Sequence, residues 1–404
     1  MTAFGSRRAL IVLAAGATVL AVALGIRHAF GLFLQPMSVA NGWSREAFAL
    51  AIAAQNLVWG LAQPITGMIA DRFGSARVIV AGALLYGLGL ALMSMAHTPG
   101  DLMVSAGLLV GLGLSGTTFA VVLGAVSRAV PESRRTLAMG VATGIGSFGQ
   151  FALLPGSLAL LESLGWSGAL VALACIALAT AALGGMAGSG HVERRTPASH
   201  GSGAALVEAL AQRDFWLLSA GFFVCGFHVV FITTHLPAFL LDRGLPLGLG
   251  TTVLALIGLA NVAGAWLGGA CGERFRKPIV LCAIYAGRAA VISVFVWLPV
   301  SSASACIFAV VIGLLWMSTV PLTNGTIATM FGVRNLSMLG GLVFLAHQVG
   351  AFLGGWLGGA IFDRTGSYDV VWGIAIALSL VAALLNLPIR GRPVARLQAA
   401  GAAS

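Results

Sequence analysis

Apolar residues run in blocks of about twenty or more along this chain, separated by short clusters of charge, proline and turn residues. A helix crossing the hydrocarbon core of a bilayer needs about 20 mostly apolar residues, so each block reads as a membrane span. The punctuation places spans near 9–36, 46–70, 77–97, 101–128, 135–161 and 167–188, then 213–241, 248–272, 278–299, 303–330, 336–362 and 369–389. The expected fold is an all-α membrane protein with twelve transmembrane helices in two sets of six. Between the sets lies HVERRTPASHGSGAALVEALAQRD, residues 191–214, the longest polar stretch, whose second part reads as a short surface helix. The expected domains are 1–190, a six-helix bundle, 191–212, a cytoplasmic linker, and 213–404, a second six-helix bundle.

Composition agrees, because 59% hydrophobic and 8% charged residues over 404 positions do not describe a soluble domain. A formal charge of +10 would suggest a nucleic-acid partner in a soluble protein. Here the basic residues sit in short loops between apolar runs, which excludes that reading and makes them topology signals. With the N-terminus inside, seventeen lie on the cytoplasmic side: Arg7, Arg8, Arg72, Arg77, Arg128, Arg134, Arg135, Arg194, Arg195, Arg213, Arg274, Arg276, Lys277, Arg334, Arg390, Arg392 and Arg396. Only Arg45, Arg243 and Arg364 lie opposite. That asymmetry predicts an inner-membrane protein with both termini cytoplasmic. Arg7 and Arg8 ahead of an apolar run could head a secretory leader, but the run continues to Leu34 without a convincing small-residue cleavage site, so it is read as the first span.

The two halves resemble each other at an offset of about two hundred residues. GMIADRFGSAR at 67–77 ends the second span and GACGERFRK at 269–277 ends the eighth, so Gly67, Asp71, Arg72 and Phe73 correspond to Gly269, Glu273, Arg274 and Phe275. Gly149-Gln150-Phe151 pairs more weakly with Gly350-Ala351-Phe352. Parallel repeats of six helices with a midplane site between them are the logic of one class of secondary transporter.

GMIADRFGSAR also resembles the loop signature of the major facilitator superfamily, Gly-x-x-x-Asp-Arg-x-Gly followed by basic residues, in the place where that family carries it. Ser75 and Ala76 depart from the usual basic residues. NGWSREAFALA after the first span, PESRRTLAMGVATGIGSFGQ entering the fifth and GGAIFDRTGSYDVVW near the end are similar to the bacterial monocarboxylate transporter and oxalate/formate antiporter group. Members of that group carry a substrate-binding arginine in the eighth span, whereas ALIGLANVAGAWLGG at 255–269 is uncharged. The glycine-proline signature of drug exporters in the fifth span is not met, since Gln150 follows Gly149. The resemblance implies transport by alternating access, with Gly67, Asp71, Arg72, Gly74 and Arg77, and by the repeat Glu273 and Arg274, forming gating loops. Asp71 is then expected to face the N-terminus of helix 11 near Asn335 and Leu336, where free amides favour an anion. Glu273 is expected to face the start of helix 5 around Glu132 and Ser133.

The chemistry inside the spans is one-sided. All twelve carboxylates fall in loops or at span ends, yet Arg27 lies in the first span and Arg288 in the ninth, about 16 Å from either border. Ionisable residues inside a membrane are costly and mark function. Two buried cations without buried acids point to an anionic substrate as the missing partner. Arg27 could alternatively snorkel to the interface, and Arg288 could be satisfied by carbonyls of neighbouring helices. His28, His228, His235 and His347 are the other titratable groups at depth and candidates for substrate hydrogen bonds or proton coupling. Gln55, Asn56, Thr117, Thr118, Gln150, Asn261, Asn324 and Gln348 could line a cavity, although buried amides by default bridge helices. Trp316 could supply an aromatic wall.

Cys175, Cys225, Cys271, Cys282 and Cys306 have no metal-like or paired spacing and read as small packing residues. GLGLSG at 111–116 and GAFLGGWLGG at 350–359 lack the strand and lysine of a phosphate loop and read as helix-packing surfaces. No catalytic triad, cofactor motif or metal site is apparent, so no enzymatic chemistry is expected. The leading expectation is a monomeric secondary transporter of a small organic anion, a carboxylate first, coupled to protons or to exchange. Export of amphipathic or drug-like compounds is the alternative, and a transporter-like sensor a third.

Overall fold

The computed structural model describes residues 6–43, 45–187 and 201–402. Among these residues all regular structure is helical. The opening of the linker at 191–200, with Arg194 and Arg195, lies outside the described residues, while its second part forms the helix α8, Ser202–Leu210.

The first three helices are α1 (Arg7–Asn41), α2 (Arg45–Phe73) and α3 (Ser75–Met93). Pro36 does not end α1, because a proline removes only one helical hydrogen bond and the chain continues to Gly42, which caps the helix at φ 67°. The fourth span is built in pieces: α4 (Pro99–Leu102), a π-helical stretch Met103–Leu109, α5 (Val110–Thr117) and α6 (Phe119–Ala129). The fifth and sixth spans run together as α7, Arg135–Ala187, broken at Gly165 with φ 69° and ψ 176°. A residue with a Cβ adopts such a conformation only under strain.

After α8 come α9 (Arg213–Asp242), α10 (Leu247–Arg274) and α11 (Lys277–Trp297). The tenth span is again in two pieces, α12 (Ser302–Trp316) and α13 (Thr319–Phe331). The remaining helices are α14 (Leu336–Thr365), α15 (Asp369–Asn386) and the terminal α16 (Ala395–Ala402). Among the described residues, α2, the two arms of α7 and the other long apolar helices make the twelve spans that the hydrophobic blocks predict.

Two compact units result. One comprises Met1–Arg134, Ile145–Gly203 and Val333–Gly341; the other comprises Arg135–Gly144, Ala204–Gly332 and Leu342–Ser404. Each therefore includes a short stretch from the other half of the sequence: the start of the fifth span in one case, the start of the eleventh in the other.

Within the first unit α5 packs on α2 and α3, and α6 on α1. Glycine makes these contacts close: a Cβ on Gly82 would lie 2.9 Å from the Gly113 carbonyl, and one on Gly113 would lie 2.7 Å from the Tyr86 nitrogen. Without a hydrophobic driving force between helices in lipid, such small-residue contacts hold a bundle together. In the second unit α10 packs on α12, and α15 on α9 and α11. Phe231, Phe239, Phe295 and Phe308 surround Trp372, each with its ring centroid within 6.2 Å of the indole.

The repeat read from sequence is present in the packing. Gly149 lies against the backbone of Ala21, and Gly350 against that of Phe223. Gly67 meets the Ser337 carbonyl, and Gly269 the Thr136 carbonyl. The interruptions of the fourth and tenth spans obey the same offset, one at Thr118 and the other at Met317-Ser318.

Candidate functional site

A broken helix releases backbone groups that lipid cannot satisfy, so neighbouring side chains must. At the first interruption Gln63 Nε2 donates to the Ser115 carbonyl at 2.9 Å, and Thr66 Oγ1 donates to the same oxygen at 3.0 Å. Trp59 Nε1 donates to Gln63 Oε1 at 2.7 Å and to Thr118 Oγ1 at 2.9 Å. The indole so fixed lies beneath Arg27, whose guanidinium carbon is 5.0 Å from its ring centre, an arrangement favoured by the ring quadrupole. Arg27 Nη2 donates to Asn56 Oδ1, and Asn56 Nδ2 donates to the Ile52 carbonyl at 3.1 Å. Arg27 Nε is buried and has no partner. One network thus joins Arg27, Asn56, Trp59, Gln63 and Thr118 across the first, second and fourth spans.

Other candidates in this unit stand apart from that network. Gln55 is fully buried and donates to the Ala106 carbonyl at 2.9 Å. Thr117 bonds the Gly113 carbonyl at 2.9 Å. His28 is exposed, with Nδ1 2.8 Å from the Leu24 carbonyl. Gln150 is half-buried, and its Nε2 has no partner.

In the second unit Arg288 is 2% exposed and donates from Nη2 to the carbonyls of Leu315 and Trp316, at 2.7 and 2.8 Å. These oxygens close α12 at the tenth-span interruption, where the negative end of the helix favours a cation. Tyr285 lies under the guanidinium, 5.1 Å from ring centre to carbon. The Trp316 side chain is buried, with Nε1 unpartnered. His228 and His235 are buried and each places Nε2 2.9 Å from a carbonyl, Ala375 and Gly355 respectively. A ring nitrogen facing a carbonyl carries the proton. His347 stacks on Phe344 and has Nδ1 3.2 Å from Gln348 Oε1. Asn324 Nδ2 donates to the Val320 carbonyl at 3.0 Å, and Asn261 Oδ1 is buried without a partner. Among the described residues no group of histidine, cysteine and carboxylate side chains could hold a metal ion.

The charged segment after α2 forms a second constellation. Asp71, whose side chain is 1% exposed, accepts the backbone N–H groups of Ser337 at 3.3 Å and Met338 at 2.8 Å, at the start of α14. Arg128, at the end of α6, donates to Asp71 Oδ1 at 2.7 Å, to Ser75 Oγ at 2.6 Å and to the Val333 carbonyl at 3.4 Å. Ser75 thus accepts a hydrogen bond from Arg128 at a position where the loop signature usually carries a basic residue. Gly74, at φ 95°, turns the chain between α2 and α3, and a Cβ on Gly67 would overlap the Ser337 carbonyl. Arg72 lies over the Phe73 ring, and Arg77 and Arg274 are exposed. In the other half Glu273 Oε1 accepts the N–H of Leu137 at 3.0 Å, inside the first turn of α7. Sequence reading did not single out Arg128 or Gln63. The one signal for Arg128 is a cation in the last turn of a helix that ends level with Asp71.

This combination of paired six-helix repeats, twinned helix interruptions and an acid-on-helix contact at the end of the second and eighth spans defines a transporter. The family profile of the Major Facilitator Superfamily matches residues 9–335, and the chain belongs to that family, near its monocarboxylate transporter group. It is 28% identical over 379 residues to monocarboxylate transporter 13 of Rattus norvegicus, covering 91% of this chain and 86% of that protein. It is 30% identical over 338 residues to monocarboxylate transporter 11 of Homo sapiens, covering 79% and 69%. A probable sulfoacetate transporter of Cupriavidus necator is 24% identical over 87% of this chain and 88% of its own length. Among solved structures, the Escherichia coli fucose:proton symporter FucP aligns over 94% of this chain and 98% of its own, with TM-score 0.73 and 16% identity. The proton:xylose symporter XylE aligns over 98% and 100%, with TM-score 0.75 and 13% identity. At those identities the likeness to the sugar symporters is one of fold.

Proposed function

We propose that this protein moves a small organic anion, a carboxylate first, across the inner membrane by alternating access, coupled to protons or to exchange. The observation that carries this reading is Arg27. It is a cation inside a span, positioned from below by Trp59 and from the side by Asn56, with a buried Nε–H that no protein atom accepts. A guanidinium offers a carboxylate two parallel hydrogen bonds, and no span interior supplies an acid to compete. Relatives named for monocarboxylates and for sulfoacetate support an anion.

Arg288 also has a buried Nε without a partner, but its Nη2 serves two backbone carbonyls of the interrupted tenth span, whereas Arg27 Nη2 meets a side-chain amide. Of the histidines, His28 and His347 are only partly enclosed or exposed and suit proton coupling better than His228 and His235, which donate to carbonyls within their unit. Residues 1–190 and 213–404 act as the two moving bundles, 191–212 as a cytoplasmic linker, and both termini face the cytoplasm. The contacts of Asp71 and Glu273 with helix N-termini serve as cytoplasmic latches, made in one state and released in the other. The working form is a monomer.

A thermal-shift screen of the purified protein against mono- and dicarboxylates, sulfonates, amino acids and cationic drugs tests this reading, since a ligand that prefers the folded state raises its apparent stability. Stabilisation by anions is expected, and stabilisation by cations alone overturns it.

A further inference from the structure

Away from these residues, at the ends of α9, α11 and α15 opposite the linker, a groove of about 610 Å³ opens on the surface of the second unit. It is lined by Arg243, Val296, Trp297, Asp369, Gly373, Ile376, Ala377 and Leu380. Positions 369, 373, 376, 377 and 380 form one stripe of α15. From Asp369 to Leu380 that stripe descends about 16 Å at the helical rise, close to half the roughly 30 Å thickness of a bilayer core. Its polar end carries an ion pair, Arg243 to Asp369 at 3.5 Å, with side chains 45% and 66% exposed. Beside the pair stands Trp297, 77% exposed at the end of its helix, where membrane proteins place aromatic anchors.

Gly373 is the telling residue. Glycine inside a helix is less favourable than alanine, and close packing is the usual reason to find it there. Here a Cβ would meet no heavy atom within 4 Å, and the backbone is ordinary helix. Its absent side chain therefore serves no protein neighbour, and it keeps the floor of the groove open beneath the ion pair.

We infer that this groove holds one zwitterionic phospholipid bearing a primary ammonium, of the phosphatidylethanolamine class. Its phosphate lies on Arg243, its ammonium on Asp369, and one acyl chain lies along Gly373, Ile376, Ala377 and Leu380. Both signs of charge at the rim match both signs of the headgroup. An exposed ion pair holds its partners weakly, so the headgroup exchanges into it at little cost. Stacking over Phe239, 4.9 Å from guanidinium carbon to ring centre, keeps Arg243 directed at the groove mouth. The inference is independent of the transported substrate.

Native mass spectrometry of the delipidated full-length protein, titrated with phosphatidylethanolamine or phosphatidylglycerol of identical acyl chains, reads the site directly. The wild type should retain one phosphatidylethanolamine at collision energies that strip phosphatidylglycerol. Arg243→Gln should lower that occupancy about twofold to fivefold, the scale of one exposed charged contact. Asp369→Asn should abolish the preference between the two lipids, and Gly373→Leu should remove the retained lipid by filling the groove. Gly373→Ala serves as the folding control and should match or exceed the wild type in thermal stability. Equal retention of both lipids by the wild type, or wild-type retention in a folded Gly373→Leu protein, overturns the inference.

Discussion

Arg128 reaches Asp71 at 2.7 Å from the end of the fourth span, and the same carboxylate closes onto two backbone N–H groups of the eleventh. Charge, hydrogen bonding and the positive end of a helix therefore converge on one buried acid.

Asp71→Asn keeps the shape of the acceptor but halves its hydrogen-bonding capacity toward the N–H groups and removes its charge. Charge-assisted hydrogen bonds contribute about 1.5–3 kcal/mol each, so the latched state should lose on the order of tenfold in population. Cysteines placed at the C-terminal end of the second span and the N-terminal end of the eleventh should label faster in this variant. Unchanged labelling refutes the latch, because removing a state-specific contact must move the equilibrium it stabilises.

Arg128→Met leaves the Asp71 carboxylate buried without its cation, a change that costs about 3–5 kcal/mol for enclosed pairs. Thermal stability should fall more in this variant than in Asp71→Asn. Combining the two should recover part of the loss, giving a coupling energy above about 1 kcal/mol in a double-mutant cycle. Strictly additive losses would show that Arg128 serves Ser75 and the Val333 carbonyl instead of the acid.

Arg27→Lys keeps the charge and loses the planar fork, so substrate affinity should fall. Arg27→Gln should cost tenfold to a hundredfold or more. Arg288→Gln should behave differently, lowering the melting temperature through the uncapped Leu315 and Trp316 carbonyls. Binding titrations and unfolding curves on the same preparations separate the two. A folded, monodisperse Arg27→Gln protein with wild-type affinity removes Arg27 from the site.

With no acid inside a span, proton coupling has to run through histidine, a span-end carboxylate or the ionisation of the substrate. Replacing His28, His228, His235 and His347 singly by glutamine should abolish pH-dependent uptake in at least one protein reconstituted in liposomes. Retention in all four excludes a histidine route.

Much of the architecture is legible because bilayer thickness imposes a minimum apolar length on every span, and charge, proline and turn residues mark the block boundaries. The charged turn after the second span and its echo after the eighth are legible for a similar reason, since charge in so apolar a chain is rare. The interruption at Thr118 is hidden, having no proline, whereas the one at Met317-Ser318 has Pro321, which lacks the N–H that would bond the Met317 carbonyl. What sustains each is a side chain from another span, Gln63 in one case and Arg288 in the other. Arg128 was hidden too, because it is one of seventeen cations that the charge pattern expects on one side, and its contact with Asp71 marks it out. Asp71 could be paired with a helix N-terminus from the loop signature and Glu273 from the repeat, but the partners found, Ser337 and Met338 on one side and Leu137 on the other, lie one to five residues beyond those inferred from sequence.

The borrowed segments have a consequence for how the chain can be cut. Residues 333–341 belong with the first unit and 135–144 with the second. A gene divided at the linker would yield two fragments, each missing the donor amides for its own acid and the backbone that covers Gly67 or Gly269. Neither fragment carries a complete interior, so function from such a split requires both to be made in the same cell and to find each other during membrane insertion.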